Sequence, residues 1–245
     1  LSELQSAAAQ LDANASFFGS SVDLLCRGDV MRWRKFANSL RLRLATRIRD
    51  RLPAEYAAQM LDLSSQPLIS SNAENILFPY SYEKKNPVYE AMFTGQAVIQ
   101  NNPSKFLVDL LVSSNDPRVS ILLQKAPMSI LPWIPPYNGV PNLLTTSDPA
   151  WSNYNLDDNW GDISRIGKWF LRDETPGILI SYPEVCLLQA EAALNGAWAG
   201  SAQTFYEEGT AAAIRLYDVP GDTSYYVPES EIQTYINSLP AADLQ

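Results

Sequence analysis

Apolar residues recur at three- and four-residue spacing through Trp33, Phe36, Ala37, Leu40, Leu44 and Ile48, the pattern of one face of an α-helix. Asp29 precedes the run, and its short carboxylate is predicted to cap the first turn by accepting a backbone N–H. Pro53 stops the helix and serves as the first residue of another, with Tyr56, Met60 and Leu61 predicted to face inward. Upstream, Leu4, Ala7, Ala8 and Leu11 predict a helix within Leu1 to Ala15, which Ala-rich composition favours intrinsically. A loop at Ser16 to Gly28 joins it to the long helix, so the two should form an antiparallel hairpin. Leu63 to Asn75 reads as loop.

From Asn75 to Gly177 the pattern changes. One helix is predicted there, capped by Asn102 at Pro103 and running through Phe106, Leu107, Leu110 and Leu111 to near Asn115. Pro127, Pro132, Pro135, Pro136, Pro141 and Pro149 then forbid any long helix and predict turns and extended chain. After Gly177 the helical period returns with Val185, Leu188, Ala192 and Ala193, closed by Asn195-Gly196. Ser201 is predicted to start a partner helix through Phe205, Ala212 and Leu216. Such a pair, with small residues where two helices meet, resembles a tetratricopeptide unit. Pro220 to Pro228 reads as loop and Glu229 to Leu239 as a last helix.

Composition narrows the function classes. A chain of 245 residues that is 46% apolar folds around a full core. Its net charge of −9 argues against nucleic acid as a partner, because phosphate binding needs a basic surface. Eight of the 18 Lys and Arg lie between Arg32 and Arg51, but Arg41, Arg43 and Arg47 alternate with apolar residues. That mixture predicts buried Arg stems paired with carboxylates on neighbouring helices rather than a basic stripe. There is no histidine, which removes the commonest general base and metal ligand. Cys26 and Cys186 permit at most one disulfide and have no zinc spacing, and Cys186 is expected to be a buried thiol. No uncharged apolar stretch is long enough to span a membrane.

Four of the six tryptophans, Trp133, Trp151, Trp160 and Trp169, fall in the proline-rich region with Tyr137 and Tyr154. Rings on loops present flat apolar faces to a ligand, and Asn138, Asn142, Asn153, Asn155 and Asp157 supply a polar rim. Sugars offer matching C–H faces and hydroxyls. The competing reading is that these rings plug a small core beneath the loops, which is the expectation for Trp169-Phe170. Asp157, Asp158 and Asp162 lie in a Gly-containing turn, but their spacing does not fit an EF-hand, so the run reads as a solvated turn. Adjacent Asp residues are equally insufficient for a glycosidase acid and base. No catalytic residue, metal ligand or cofactor is predicted.

The segment Trp33-Arg34-Lys35-Phe36-Ala37-Asn38-Ser39-Leu40-Arg41-Leu42-Arg43-Leu44-Ala45 resembles the signature helix of the SusD/RagB-like outer-membrane nutrient-binding lipoproteins of Bacteroidetes-type bacteria. Asp116-Pro117-Arg118, Ser164-x-x-Gly167 and the run from Tyr182-Pro183-Glu184-Val185 to Ala190-Glu191-Ala192-Ala193 resemble later elements of the same family. The resemblance implies a mostly α fold: tetratricopeptide-like helical hairpins carrying an irregular, loop-rich and aromatic-rich lobe. The expected layout is a helical scaffold over 1–74, a ligand-facing lobe over 75–177 and tetratricopeptide-like helices over 178–245. The implied function is a non-enzymatic one, capture of an oligosaccharide or related nutrient and its delivery to a TonB-dependent, SusC-like outer-membrane transporter. Trp133, Tyr137, Trp151, Tyr154 and Trp160 are the expected ligand platform, by region and residue type. The alternative is a helical protein–protein scaffold without glycan affinity. The run Asp23-Leu24-Leu25-Cys26 is no lipid-anchor site, since polar residues including Asp12 and Asn14 precede it. The chain is therefore expected to be the middle of a longer surface lipoprotein whose anchor and terminal helices lie outside it.

Overall fold

A computed structural model describes residues 1–12, 19–94, 102–143, 147 and 162–243. Helices α1 (Ser2–Gln10), α2 (Val30–Ile48) and α3 (Pro53–Leu63) follow one another. The Asp29 carboxylate accepts the Arg32 N–H at 3.0 Å, and Pro53 opens α3, both as the sequence predicts. Arg34 donates to the carbonyls of Ala8 and Leu11 at 3.0 and 2.6 Å, satisfying the C-terminal end of α1.

The buried stripe of α2 is not the predicted one. Trp33, Phe36, Ala37, Leu40, Leu44 and Ile48 are half-buried, whereas Asn38, Ser39, Arg41, Leu42 and Ala45 are buried. The helix is enclosed on several sides, and its most central positions are partly polar because they bond the chain around it. Asn38 donates to the Pro67 carbonyl at 3.1 Å, and the Ser39 hydroxyl accepts from Ile69 N–H at 3.0 Å. Arg41, 1% exposed, donates to Asn38 Oδ1, Gln59 Oε1 and Asp62 Oδ2. The predicted pairing of α2 cations with neighbouring carboxylates is present for Arg41 with Asp62 and Arg43 with Glu184, and Arg49 adds a pair with Glu191, whereas Arg47 is exposed at the end of the helix. In α3, Tyr56 and Met60 are buried, but Leu61 is 77% exposed; it follows Met60 by one residue and so turns off the inward face.

The chain divides into two units. The first comprises 1–79, 176–216 and 236–245. In it, β1 (Ile76–Phe78) pairs antiparallel with β4 (Gly177–Ile180). Helices α7 (Tyr182–Leu194) and α8 (Ala202–Arg215) form the second hairpin, with Gly196 in the left-handed region (φ +71°) at the turn and Ser201 capping α8 through the Thr204 N–H. The two helices meet at Gly209, where a Cβ would lie 2.9 Å from Cys186 Cβ. One core joins Leu42, Ala45, Tyr56, Met60, Leu63, Ile69, Ile76, Ile180, Val185 and Ala192. Cys26 and Cys186 are free, buried thiols. Burial, reinforced by the nearby Asp23 charge, pushes Cys26 up to about 12, and burial pushes Cys186 up to about 11.

The second unit comprises 80–175 and 217–235. It holds α4 (Pro87–Thr94), α5 (Lys105–Ser113), the short α6 (Val119–Leu122) and a two-residue pairing of β2 (Leu123–Gln124) with β3 (Arg165–Ile166). The last helix, α9 (Glu229–Ser238), begins in this unit. The cap of α5 is Ser104, which accepts the Leu107 N–H, not Asn102. Only Val108 and Leu111 of α5 are buried, while Phe106, Leu107 and Leu110 are exposed. As expected, Trp169 is core, 5% exposed, with the rings of Phe170 and Tyr217 packed edge-on at 5.1 Å. Among the described residues no helix is long and apolar enough to cross a membrane.

Candidate functional site

The loop region is built on short motifs whose side chains tie down backbone. Asn115 adopts the left-handed region (φ +53°) after α5, and Asp116 N–H returns to the Leu111 carbonyl at 2.9 Å. The buried Asp116 carboxylate then accepts the Arg118 guanidinium through Nη2 at 2.6 Å and Nε at 3.0 Å, and Tyr235 Oη at 3.3 Å. Asp116-Pro117-Arg118 thus fixes the angle between α5 and α6. Ser164 is fully buried; its N–H donates to the Asn138 carbonyl and its hydroxyl accepts the Asn138 N–H. Three residues on, Gly167 N–H donates to the Leu122 carbonyl at 2.8 Å, and a Cβ there would lie 1.8 Å from the Ile121 carbonyl oxygen. Only glycine lets the chain leaving β3 pass this close to the backbone at the end of α6.

These ties frame the aromatic loop. Ala126 N–H donates to the Pro136 carbonyl at 2.9 Å, closing its base, and Lys105 N–H to the Val140 carbonyl at 2.7 Å holds its far end. Between them, Ser129, Leu131 and Ile134 N–H donate to the carbonyls of Ala126, Met128 and Leu131, each at 3.0 Å. This succession of tight turns carries Trp133 outward, leaving it 74% exposed. Tyr137 behaves differently: it packs half-buried against Val108, Leu111 and Leu123, and burial raises its phenol above the ordinary value. Its ring is part of the wall of the small core. Asn138 is also committed inward, donating to the Asp162 carbonyl at 3.1 Å.

Of the five expected platform residues, Trp133 and Tyr137 therefore lie on one loop. Trp151, Tyr154 and Trp160 fall outside the described residues, as do Asn153, Asn155, Asp157 and Asp158. Residues the sequence reading did not single out also face solvent here: Ile130 (88% exposed) beside Trp133, and Tyr82 (72%) on the loop before α4. Neither sits in a periodic pattern, so no spacing signal marks them. Among the described residues no group of His, Cys, Asp or Glu is placed to hold a metal ion.

One unit of helical hairpins and one loop-rich unit with exposed aromatic side chains define the architectural class of this protein. The sequence profile of the SusD-like family described as starch-binding and associating with the outer membrane matches residues 1–243, and the chain belongs to that family. Solved structures agree. A chitin-binding protein superposes with a TM-score of 0.84 at 29% identity, covering 98% of this chain and 51% of its own. A chitin-binding SusD homolog from Flavobacterium johnsoniae gives 0.73 at 27% identity, covering 91% and 44%. A SusD homolog from Bacteroides uniformis gives 0.74 at 26% identity, covering 93% and 45%. The chain thus spans about half the length of the structures it matches. No curated protein matches it.

Proposed function

We propose that this chain captures a polysaccharide fragment at the cell surface and hands it to a TonB-dependent, SusC-like transporter in the outer membrane, with no chemistry of its own. The observation that carries the reading is Trp133, a ring held three-quarters exposed by a loop whose base, turns and far end are all hydrogen-bonded. On an ordered loop the backbone beneath the indole is already fixed, so stacking on a sugar face costs only the freedom of the side chain itself. Residues 75–177 are the ligand-facing lobe in this reading, with Tyr137, Trp151, Tyr154 and Trp160 completing the platform. Two similar structures are described as chitin-binding, which supports an oligosaccharide as cargo.

The test is tryptophan-fluorescence titration of the full chain against a glycan panel led by chitooligosaccharides. Saturable change with one glycan class, weakened at least about tenfold in Trp133→Ala with helical circular dichroism unchanged, is the expected result. A second reading has its own support: Ile130 and Leu143, 88% and 96% exposed, offer aliphatic surface that suits a protein partner better than a sugar. Co-purification of a barrel transporter by a chain silent toward the whole panel would favour that reading.

A further inference from the structure

A different part of the second unit carries a charge that its surroundings leave unneutralised. The loop before α4 is ordered by Ser81 and Lys84, whose N–H groups donate to each other's carbonyls at 3.0 and 3.1 Å. It is anchored by Asn86, 7% exposed, which donates through Nδ2 to the Thr175 carbonyl at 2.6 Å and through its N–H to the Asp173 carbonyl at 2.8 Å. The Asn86 side chain also accepts the Val88 N–H at 2.7 Å, capping α4. On this frame the Lys85 ammonium lies 5.1 Å from the Tyr82 ring centroid and 5.2 Å from that of Tyr89. Among the described residues no carboxylate lies within ion-pair distance of it. The Glu83 carboxylate beside it is turned to the Ser81 hydroxyl at 2.9 Å.

Two π faces hold an ammonium in place without cancelling its charge. A half-buried ammonium with, among the described residues, no carboxylate at ion-pair distance, next to a 72% exposed ring, suits a ligand that carries both an apolar face and an anion. A pyranose bearing a carboxylate has a C–H face to stack on tyrosine and an anion to meet the ammonium. We propose that Tyr82, Lys85 and Tyr89 form a subsite for an acidic sugar residue, a hexuronate-type unit, separate from the Trp133 loop. The proposal rests on the glycan-capture reading and adds the charge class of the cargo.

Isothermal titration of the full chain with trigalacturonic acid and with neutral α-1,4-galactotriose tests it. The acidic trisaccharide is expected to bind at least about tenfold more tightly, the increment of one charge-assisted hydrogen bond. Lys85→Gln should abolish that preference with melting temperature unchanged, Lys85→Arg should retain it, and Tyr82→Ala should weaken both sugars. Equal affinity of the unaltered protein for the two sugars, or a preference surviving in Lys85→Gln, overturns the subsite. If chitooligosaccharides bind through Trp133 while the acidic preference is missing, the subsite falls and the capture reading stands. If no sugar binds at all, both fall.

Discussion

The two units solve the same problem, holding a chain in place, by different means. In the helical unit a single apolar core encloses α2, and the polar groups caught inside it are paired: Arg41 meets Asn38, Gln59 and Asp62. In the loop unit the cores are small, a Val108, Leu111, Leu123 group and a Trp169, Phe170, Tyr217 group, and backbone is positioned by individual side-chain hydrogen bonds. Both units leave aliphatic side chains in water, Val22, Leu52 and Leu61 in the helical unit and Ile130 in the loop unit, but among the described residues the strongly exposed rings, Tyr82, Phe106, Trp133 and Tyr226, all belong to the loop unit. A surface kept apolar at a cost in hydration is where a ligand or partner gains most.

Substitutions that break each mode of holding sharpen this contrast. The largest effect is expected for Gly167→Ala, because the new Cβ would fall 1.8 Å from the Ile121 carbonyl oxygen of α6, beside the bond from Gly167 N–H to the Leu122 carbonyl. A loss above about 4 kcal/mol, concentrated in the loop unit by hydrogen exchange, is the outcome. Protection there equal to that of the unaltered chain would refute it. Arg41→Ala should cost the helical unit about 2–4 kcal/mol in urea denaturation, since it removes a buried stem and leaves Gln59 and Asn38 without their donor, while Asp62, 36% exposed, can turn to water.

Gly209→Ala should be milder than Gly167→Ala, at about 1–3 kcal/mol, because its Cβ would meet side-chain atoms, Cys186 Cβ at 2.9 Å, rather than a backbone oxygen at 1.8 Å. Asp23 supplies a pH test. Burial of its carboxyl works against ionisation, but the N–H groups of Cys26, Gly28 and Leu25 and the Trp33 indole, donating at 2.8–3.1 Å, outweigh it and hold the group below its ordinary value. A folded value below the unfolded one means stability that is complete above the unfolded value and lost as pH falls through the folded one. Asp23→Asn should therefore lose about 1–3 kcal/mol at neutral pH and show a shallower decline than the unaltered chain below about pH 4. Trp133→Ala should be the smallest of all, within about 0.5 kcal/mol, since its ring is solvated. A larger loss would make Trp133 part of the core and remove it from the platform.

Local rules carried much of the fold. The Asp29 and Ser201 caps, Pro53 at the start of α3 and the Gly196 turn depend on neighbours within a few residues, and each is where the spacing placed it. Helix ends depending on a choice between adjacent polar residues were less legible, as Ser104 capping in place of Asn102 shows. The face of α2 was read wrongly for a deeper reason. Periodicity counts apolar residues and assumes one buried side, but a helix surrounded by chain buries Asn38, Ser39 and Arg41 because distant groups bond them.

For the site, composition and region alone pointed to Trp133 and Tyr137, and the family's motifs pointed to the fold that holds them. The sequence by itself determined the longer helices, most of their caps, the proline-broken lobe and the membership of a SusD-like family, since these follow from local backbone energetics and from matched motifs, but not the short α4 and α6. Only the tertiary structure decided that Tyr137 packs half-buried on the small core while Trp133 turns out, that Gly167 passes close to the end of α6, and that Lys85 rests against two rings with, among the described residues, no carboxylate at ion-pair distance. Those outcomes depend on which residues far apart in the chain come together, and the free energy of such contacts is set by burial and pairing that no local pattern encodes.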